Sequence, residues 1–518
     1  MNTMLFNFKK FSLLSFFLFL SFAFAEITSV PGLYRYKLDN GLELFVAENS
    51  AAPLAYIEIA VRAGAVTQTP KNAGLFHLYE HMMFKGNSKY ANQDEFNNAA
   101  NLLGQIDQNG STDLDRVNYY FTIPASMVKR GIEFWSYAIR TPKLDEQELE
   151  NEKAVVLAEI NADFTSPAHI RSAALFKTMF PNSPWRQSPS GSPVVIQNAS
   201  ADTLREIQER YYVPENSALF VGGDVNHDEV YSYVKEIFSD WQNPEARHPF
   251  ELPDTKEPLS SDKKMVFVDP GLSDNMIQAA YYLRGPDGQT DAADTHFADV
   301  WTSLANNPGG NFIKTFLSAK ELGIPEADYI GVLYTTQRVS GIVSFSAAML
   351  LDDSDVPVDI NYGFGNIHAF TKKNLNPVEK TDAYLSLLKD KAIPEMTNKE
   401  LFFKDNSINF VIQQLADARI YELESAKAIL ASLSYFWSSC GSDYFFSYDQ
   451  NIARVTEDNV VSFVQNYFQN KNGAFIVSVS PRIFSQYKSA FKSHGYEEIT
   501  ALNAFWQNDP HLEESEAK

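Results

Sequence analysis

Cysteine and basic residues are scarce in this 518-residue chain. The single cysteine, Cys440, has no partner in the chain, which excludes a disulfide framework and a cysteine-rich zinc finger. Lys and Arg number 43 against 65 Asp and Glu, so a nucleic-acid binder, which needs a basic face, is disfavoured. Because single cores rarely grow beyond ~250–300 residues, the length predicts two or more domains.

Long apolar runs are also scarce, and the sequence has one, FSLLSFFLFLSF at 11–22. Two lysines precede it and the small-residue pattern A-F-A follows at 23–25, which is typical of a secretory signal peptide cleaved before Glu26. A membrane anchor is the alternative, but the run is shorter than the ~20 residues of a bilayer span. We therefore predict an exported protein, in the periplasm, with no membrane span after cleavage.

Two pairs of segments resemble each other in the same order along the chain. Residues 43–64 resemble 265–285, and each reads as a short strand, a turn and a longer strand that ends near an arginine. Residues 200–219 resemble 456–475, and each begins with an N-cap candidate, forms a helical pattern and passes into an apolar strand. Chance similarity is the alternative, but the shared order indicates a duplicated domain.

The duplication and the mixture of strands and helices predict an α+β fold. We expect two related domains, each a mainly antiparallel sheet with helices packed on one side. The stretch rich in proline and charge that follows residue 245 is typical of a linker. The predicted divisions are a signal peptide at 1–25, a first domain at 26–245, a linker at 246–262, a second domain at 263–505 and an acidic tail at 506–518.

The segment GLFHLYEHMMF at 74–84 is the most informative part of the sequence. His77 and His81 are four residues apart, so on a helix they share one face and can hold one cation. Glu80 precedes the second histidine and lies close enough to reach a water on that cation. A catalytic zinc site needs a third protein ligand and a general base, and carboxylates can serve as both. From this segment alone, two ordinary histidines on an amphipathic helix remain an alternative.

A second helical pattern, at 145–163, offers carboxylates. Glu152 and Glu159 are seven residues apart and therefore share one face of that helix. Glu159 lies within the apolar run VVLAEI, so we expect a buried carboxylate that needs a partner, and a metal would serve. The other glutamates of this pattern are expected on the solvent-exposed face of the helix.

Together, these segments resemble the pitrilysin/insulinase zinc metallopeptidases, whose pattern is H-x-x-E-H followed 70–80 residues later by a glutamate, with another glutamate seven residues before it. The resemblance implies His77, His81 and Glu159 as ligands of one zinc ion per chain. It implies Glu80 as the general base and Glu152 as a carboxylate that supports catalysis without binding metal. It also implies a pair of α+β domains that form half of a clam-shell chamber.

The sequence N-G-S-T at 109–112, followed by N-Y-Y-F at 118–121, resembles the family's N-A-x-T…N-Y-Y-F segment. In relatives this edge strand pairs with the substrate backbone, which implies Asn109, Gly110, Ser111 and Thr112 as substrate-binding residues. Gly110 replaces the usual alanine. A tight turn at Asn-Gly is the alternative.

The second half departs from single-chain relatives, which carry an Arg and a Tyr in a pattern like L-R-x-x-x-x-L-G-Y to stabilise the oxyanion. Here Ser318 stands where Arg is expected and Ile324 where Tyr is expected. Lys320 lacks the planar fork of arginine, and Tyr329 is a weak substitute for the tyrosine. Either the enzyme is degenerate, or a partner subunit supplies the pair, as in the two-subunit, processing-peptidase-like branch.

The leading hypothesis is an exported zinc endopeptidase that cleaves peptides or unfolded segments, as the metal-bearing subunit of a heterodimer. The alternative is a non-catalytic assembly or binding subunit of the same fold. A structural zinc site is disfavoured, because such sites are usually closed by four protein ligands and commonly use cysteine.

Overall fold

The computed structural model describes residues 26–243, 258–339, 341–351, 358–362, 365–369 and 375–508. The predicted signal peptide at 1–25, residues 246–257 of the predicted linker and residues 509–518 of the predicted tail lie outside the described residues. The division of the chain at 246–262 stays a prediction.

Strands and helices alternate irregularly along the described residues. The strands are β1 (Glu26–Ile27), β2 (Leu33–Lys37), β3 (Glu43–Glu48), β4 (Leu54–Val61), β5 (Ile106–Thr112), β6 (Val117–Pro124), β7 (Ser217–Gly223), β8 (Lys263–Val268), β9 (Met276–Arg284), β10 (Ile330–Thr335), β11 (Ile342–Leu350), β12 (Val358–Tyr362), β13 (Gly365–Ala369), β14 (Ala474–Val479) and β15 (Glu497–Ile499). The α-helices are α1 (Leu75–Met83), α2 (Gln93–Leu102), α3 (Val128–Arg140), α4 (Glu146–Thr165), α5 (Pro167–Met179), α6 (Pro193–Gln197), α7 (Ala201–Tyr211), α8 (His227–Phe238), α9 (Ala292–Ala305), α10 (Asn311–Ser318), α11 (Pro377–Leu387), α12 (Ile393–Met396), α13 (Lys399–Phe402), α14 (Ile408–Glu422), α15 (Ala426–Ser439), α16 (Ser442–Ile452), α17 (Glu457–Tyr467), α18 (Pro481–Ser493) and α19 (Ala501–Ala504).

The first sheet has the order β1-β2-β3-β7-β4-β6-β5. Strands β3 and β7 pair in parallel, and the other neighbours pair antiparallel. The central strands β3, β4 and β7 are almost entirely buried, as expected for strands covered on both faces. Strand β5 lies at one edge, and its outer side has no strand partner among the described residues.

The second sheet, β10-β11-β9-β14-β8-β15, repeats the pattern of the first. Strand β14 is inserted between β8 and β9 as β7 is inserted between β3 and β4, and β10 occupies the edge that β5 occupies in the first sheet. Helices α7 and α17 both start at a capping box, at Ser200 and Thr456. The predicted α+β fold with two related, mainly antiparallel domains is therefore confirmed.

Each half also covers the other half's sheet. The first half's own helices pack on one face of its sheet, and α15 of the second half packs on the opposite face through Leu430, Leu433 and Trp437. In return, α5 packs on the second sheet through Leu175 and Met179. The prediction of helices on one side thus describes each half's own helices, but both faces of each sheet are covered. Among the described helices, none has both the length and the apolar character needed to cross a membrane.

Candidate metal centre

Helix α1 carries the two histidines and is anchored at its first turn. Gly74 caps the helix with a φ of 96°, and its amide donates to Gln68 Oε1 at 2.6 Å. The loop before α6 lies so close that a Cβ on Gly191 would fall 2.2 Å from Gly74 Cα. The apolar side chains of α1 face the core of the first half, which leaves His77 and His81 on a half-buried stripe one turn apart.

Three candidate ligands converge at the end of that stripe. His77 Nε2 and His81 Nε2 are 3.3 Å apart, and Glu159 Oε2 lies 3.6 Å from each of them. All their ligand atoms lie within 4.8 Å of one another. A tetrahedral zinc with bonds of ~2.0–2.1 Å has ligand–ligand edges of about 3.3–3.4 Å, so the donor set fits this metal.

Burial and hydrogen bonding prepare the two histidine rings for a metal in different ways. Burial, and next the neighbouring His81 ring, lower the pKa of His77 to about 4, so its imidazole is neutral near pH 7. His81 Nδ1 lies 3.0 Å from Glu152 Oε2. With Nδ1 donating to this carboxylate, the Nε2 lone pair of His81 faces His77 and Glu159.

Glu152 lies behind the ligands rather than among them. Helix α4, whose N-terminus is capped by Asp145, places Glu152 on one side of His81. The Glu152 side chain is 9% exposed. Its second carboxylate oxygen forms an ion pair with Lys85, which follows α1. One buried carboxylate thus orients a candidate ligand and balances the charge of Lys85.

Glu159 differs from the sequence-based expectation. Its side chain is 48% exposed, so the prediction of a buried carboxylate in the apolar run was wrong. The apolar neighbours Val156 and Ile160 face the core, whereas Glu159 lies on the side of α4 that borders a solvent-connected cavity. The candidate metal centre is therefore open to solvent on this side.

Glu80 lies beside the ligands, under strand β5. It is 8% exposed, and its Oε2 accepts a hydrogen bond of 2.9 Å from Thr112 Oγ1. Burial raises the pKa of Glu80, and the Thr112 hydrogen bond opposes that rise. A Cβ on Gly110 would fall 2.9 Å from Glu80 Oε1 and 3.1 Å from the Phe84 ring, so glycine leaves the space that this carboxylate occupies.

The segment 109–112 is a strand, so the alternative of an Asn-Gly turn is wrong. Asn109 pairs with Tyr120 and Gly110 with Tyr119 in the β5–β6 ladder. Gly110 and Thr112 face Glu80, as the two-residue period of a strand requires. Ser111 Oγ instead donates to Asn118 Oδ1 at 2.6 Å.

Two neighbours of the candidate site were not identified from the sequence. Asp163 lies one helical turn beyond Glu159 on α4, borders the same cavity and accepts a hydrogen bond from Ser190 Oγ at 2.6 Å. Asp163 follows Glu159 by four residues and so shares its face of the helix, which could have identified it in the sequence. Lys85, the partner of Glu152, lies beyond the end of α1, where no spacing rule indicates the contact.

The second-half residues at the positions of the missing Arg/Tyr pair do not line the cavity beside His77. Ser318 ends α10 and bonds to the Lys314 carbonyl, and Ile324 is buried in the second core. Tyr329 borders a cavity on the second sheet that shares no lining residue with the cavity beside His77. Among the described residues, no arginine lines the cavity beside His77.

Comparisons with known proteins agree with this geometry. The family profile described as "Insulinase (Peptidase family M16)" matches residues 44–191, which include all the candidate site residues. The profile described as "Peptidase M16 inactive domain" matches residues 198–309.

Several of the similar proteins are peptidases by name, and one is subunit 1 of the mitochondrial cytochrome b-c1 complex of Bos taurus, 24% identical over 213 residues, 41% of this chain and 44% of that protein. The zinc protease PqqE of Helicobacter pylori is 26% identical over 233 residues, which are 45% of this chain and 52% of that protein. A probable mitochondrial-processing peptidase subunit beta of Arabidopsis thaliana is 23% identical over 214 residues, 41% of this chain and 40% of that protein. These alignments span about half of the relatives' length or less.

A solved structure shares the fold over most of the chain. The periplasmic protease PqqL from Escherichia coli superposes with a TM-score of 0.67 at 15% identity, over 91% of this chain and 51% of that one. The two profile matches together span about half of the chain and show that the chain belongs to the M16 (insulinase) family of peptidases.

Proposed function

We propose that this chain is a zinc-dependent endopeptidase. The observation that carries the proposal is the convergence of His77, His81 and Glu159 at zinc-like spacings, with the carboxylate of Glu80 beside them. Three protein ligands leave one position open, as in catalytic zinc sites. Zinc bound there supplies Lewis-acid polarisation of a carbonyl and of the attacking water.

Glu80 is the proton carrier of this proposal. Thr112 fixes Oε2, so Oε1 accepts the proton of the attacking water and then returns it to the leaving amine. A raised pKa suits this role, because a carboxylate that holds a proton more readily is a stronger base toward the attacking water. Glu152 acts as a positioning residue through the ring of His81.

The substrate is proposed to add as a strand to the free edge of β5. Backbone pairing along 109–112 would carry an extended peptide past Glu80, since Gly110 and Thr112 of this strand face that carboxylate. Such recognition is directed at the backbone and therefore suits peptides or unfolded segments. We also propose export to the periplasm, which the signal-like segment at 1–25 supports.

A partner subunit completes the proposed enzyme. The described residues around the cavity beside His77 include no arginine or tyrosine to stabilise an oxyanion. We propose that a homologous chain with an Arg/Tyr pair supplies them. The second candidate function is a non-catalytic assembly or binding subunit, which the "inactive domain" description of the second profile favours.

The purified chain is expected to contain one zinc per molecule and, when mixed with a homologous two-domain chain carrying the L-R-x-x-x-x-L-G-Y pattern, to cleave an unfolded casein. The measurements are metal content by mass spectrometry and peptidase activity of each chain alone and mixed, before and after chelation. Zinc without cleavage in every mixture would favour the non-catalytic subunit, and strong activity of this chain alone would refute the need for a partner.

Replacing Gly110 with alanine is expected to lower kcat by about ten-fold while the zinc content stays unchanged. The added Cβ would meet Glu80 Oε1 at 2.9 Å, so the carboxylate must move by a few tenths of an ångström, and small misplacements of a reacting group are costly. Steady-state kinetics with a quenched-fluorescent peptide and metal analysis test this.

The matched control is Gly331→Ala on β10, the strand that occupies the corresponding edge of the second sheet. A Cβ there meets its nearest atoms at 3.8 Å, so no displacement is required. Equal kinetics of the two variants would contradict the positioning role of Gly110.

A further inference from the structure

A glutamate of β4, Glu58, is buried completely between the first sheet and α15. Its neighbours Tyr56 and Ala60, two residues away on either side, pack on α15, so Glu58 lies on the face of β4 that this helix covers. A carboxylate without access to water is costly unless hydrogen-bond donors surround it. The groups that bind Glu58 are therefore committed to it.

Three hydrogen bonds converge on the Glu58 carboxylate. Oε1 accepts from Asn118 Nδ2 of β6 at 2.7 Å and from Ser434 Oγ of α15 at 2.6 Å. Oε2 accepts from Tyr56 Oη at 2.8 Å. A single oxygen thus joins a strand of the first half to a helix of the second half.

Asn118 extends this link to the free edge of the first sheet. Because its amide nitrogen is bound to Glu58, its Oδ1 is free to accept a hydrogen bond of 2.6 Å from Ser111 Oγ of β5. Asn118 and Ser111 also face each other in the β5–β6 ladder. A continuous chain of hydrogen bonds therefore joins α15 to β5, through Ser434, Glu58, Asn118 and Ser111.

Strand β5 depends on such side-chain links because it has few other contacts. Among the described strands it pairs only with β6, its register is interrupted between Ile106 and Asn109, and all its residues are exposed or half-buried. At the interruption, Asp107 accepts from the Thr122 amide and forms an ion pair with Lys427 of α15. The second half thus holds β5 at its start through an exposed pair and further along through the buried chain of hydrogen bonds.

We propose that Glu58 is a positioning residue, which couples α15 of the second half to β5 and so fixes Thr112 against Glu80. Ser111 faces the buried chain of hydrogen bonds, whereas its neighbours Gly110 and Thr112 face Glu80. The role rests on the proposed function, in which Glu80 carries the proton, because small misplacements of a reacting group are costly. The second half then contributes to the reaction without touching the reacting atoms.

The first test is Glu58→Met, which keeps a side chain of similar volume and removes the acceptor. Amide hydrogen exchange of 106–112, read by mass spectrometry, is expected to be about two- to ten-fold faster than in the wild type, the equivalent of one net hydrogen bond. In peptide cleavage, kcat is expected to fall at least about ten-fold. Zinc content is expected to stay unchanged, because the candidate ligands lie on α1 and α4.

Glu58→Gln is the conservative variant of the same position. Its amide oxygen can still accept from Asn118 and Ser434, and its amide nitrogen can donate to Tyr56 Oη. Exchange of 106–112 and kcat are therefore expected to stay near their wild-type values.

The matched control is Glu43→Met on β3. Glu43 is also buried on the face that α15 covers and accepts from Trp437 Nε1 of that helix at 2.9 Å. Three strands separate β3 from β5, so this change loosens α15 without affecting β5. Exchange of 106–112 and kcat are expected to match the wild type. Equal effects of Glu43→Met and Glu58→Met would assign the cause to general loosening of α15 and overturn the proposal.

A milder pair of variants tests the same link if Glu58→Met does not fold. Ser434→Ala removes the α15 donor to Glu58, whereas Ser438→Ala removes a buried hydroxyl that donates to the Tyr435 carbonyl of its own helix. Faster exchange of 106–112 is expected in Ser434→Ala and not in Ser438→Ala.

The exchange measurement separates this inference from the proposed function, because it needs no substrate. Unchanged exchange of 106–112 in Ser434→Ala and in folded Glu58→Met overturns the coupling. Faster exchange with wild-type kcat overturns the positioning role. If the wild type cleaves no peptide and the exchange differences are present, the peptidase is refuted and the coupling of α15 to β5 stands.

Discussion

Replacing Glu80 with glutamine is expected to lower kcat by about 10²–10⁴-fold while the chain keeps its zinc. Glutamine preserves the shape of the side chain, and its amide oxygen still accepts the Thr112 hydrogen bond. It cannot take up a proton, so the attacking water and the leaving amine lose their proton carrier. Peptidase kinetics and metal analysis on one preparation measure both quantities.

The control for this variant is Glu146→Gln, the same chemical change in the exposed first turn of α4. Its activity and zinc content are expected to match the wild type. Because glutamine removes a buried carboxylate whose pKa burial has raised, Glu80→Gln is not expected to lower the melting temperature. Wild-type turnover in Glu80→Gln would exclude Glu80 as the proton carrier.

The fold was largely predictable because duplication leaves its trace in local patterns. The resemblance of 200–219 to 456–475 corresponds to the strand that each sheet inserts between two earlier ones. The exchange of helices was not predictable, since an amphipathic pattern shows that a helix has an apolar face but not which sheet covers it. Helix α15 covers the first sheet although more than 200 residues separate them in sequence.

The site residues also divide into those that local spacing predicts and those whose surroundings depend on packing. The two histidines and Glu80 follow from helical spacing, because one short helix fixes their relative positions. The exposure of Glu159 does not follow from its apolar neighbours, since those neighbours face the other side of α4. Thr112 was assigned to substrate through resemblance alone, whereas its hydroxyl binds Glu80. Strand alternation would have put Thr112 and Gly110 on one face, but not against Glu80.

Glu159→Gln and Glu152→Gln form the second test, because the two carboxylates share a helix but differ in their contacts. Glu159 faces both histidines at 3.6 Å, so the neutral amide removes an anionic ligand. Among the candidate ligands, Glu152 contacts only His81, through Nδ1, the nitrogen that faces away from the site. Loss of such an orienting partner costs roughly 10–100-fold in metal affinity. Zinc affinity, measured by competition with a chelator, is expected to fall further in Glu159→Gln than in Glu152→Gln.

Stability is expected to follow the opposite order. The Glu159 side chain is 48% exposed and contributes little to the stability of the fold. Without zinc, Glu159→Gln is therefore expected to have the same melting temperature as the wild type. The Glu152 side chain is 9% exposed and pairs with Lys85, whose side chain is 12% exposed, so its neutralisation removes the counter-charge of this ammonium and lowers the melting temperature. A larger zinc defect in Glu152→Gln, or unchanged zinc affinity in Glu159→Gln, would remove Glu159 from the ligand set.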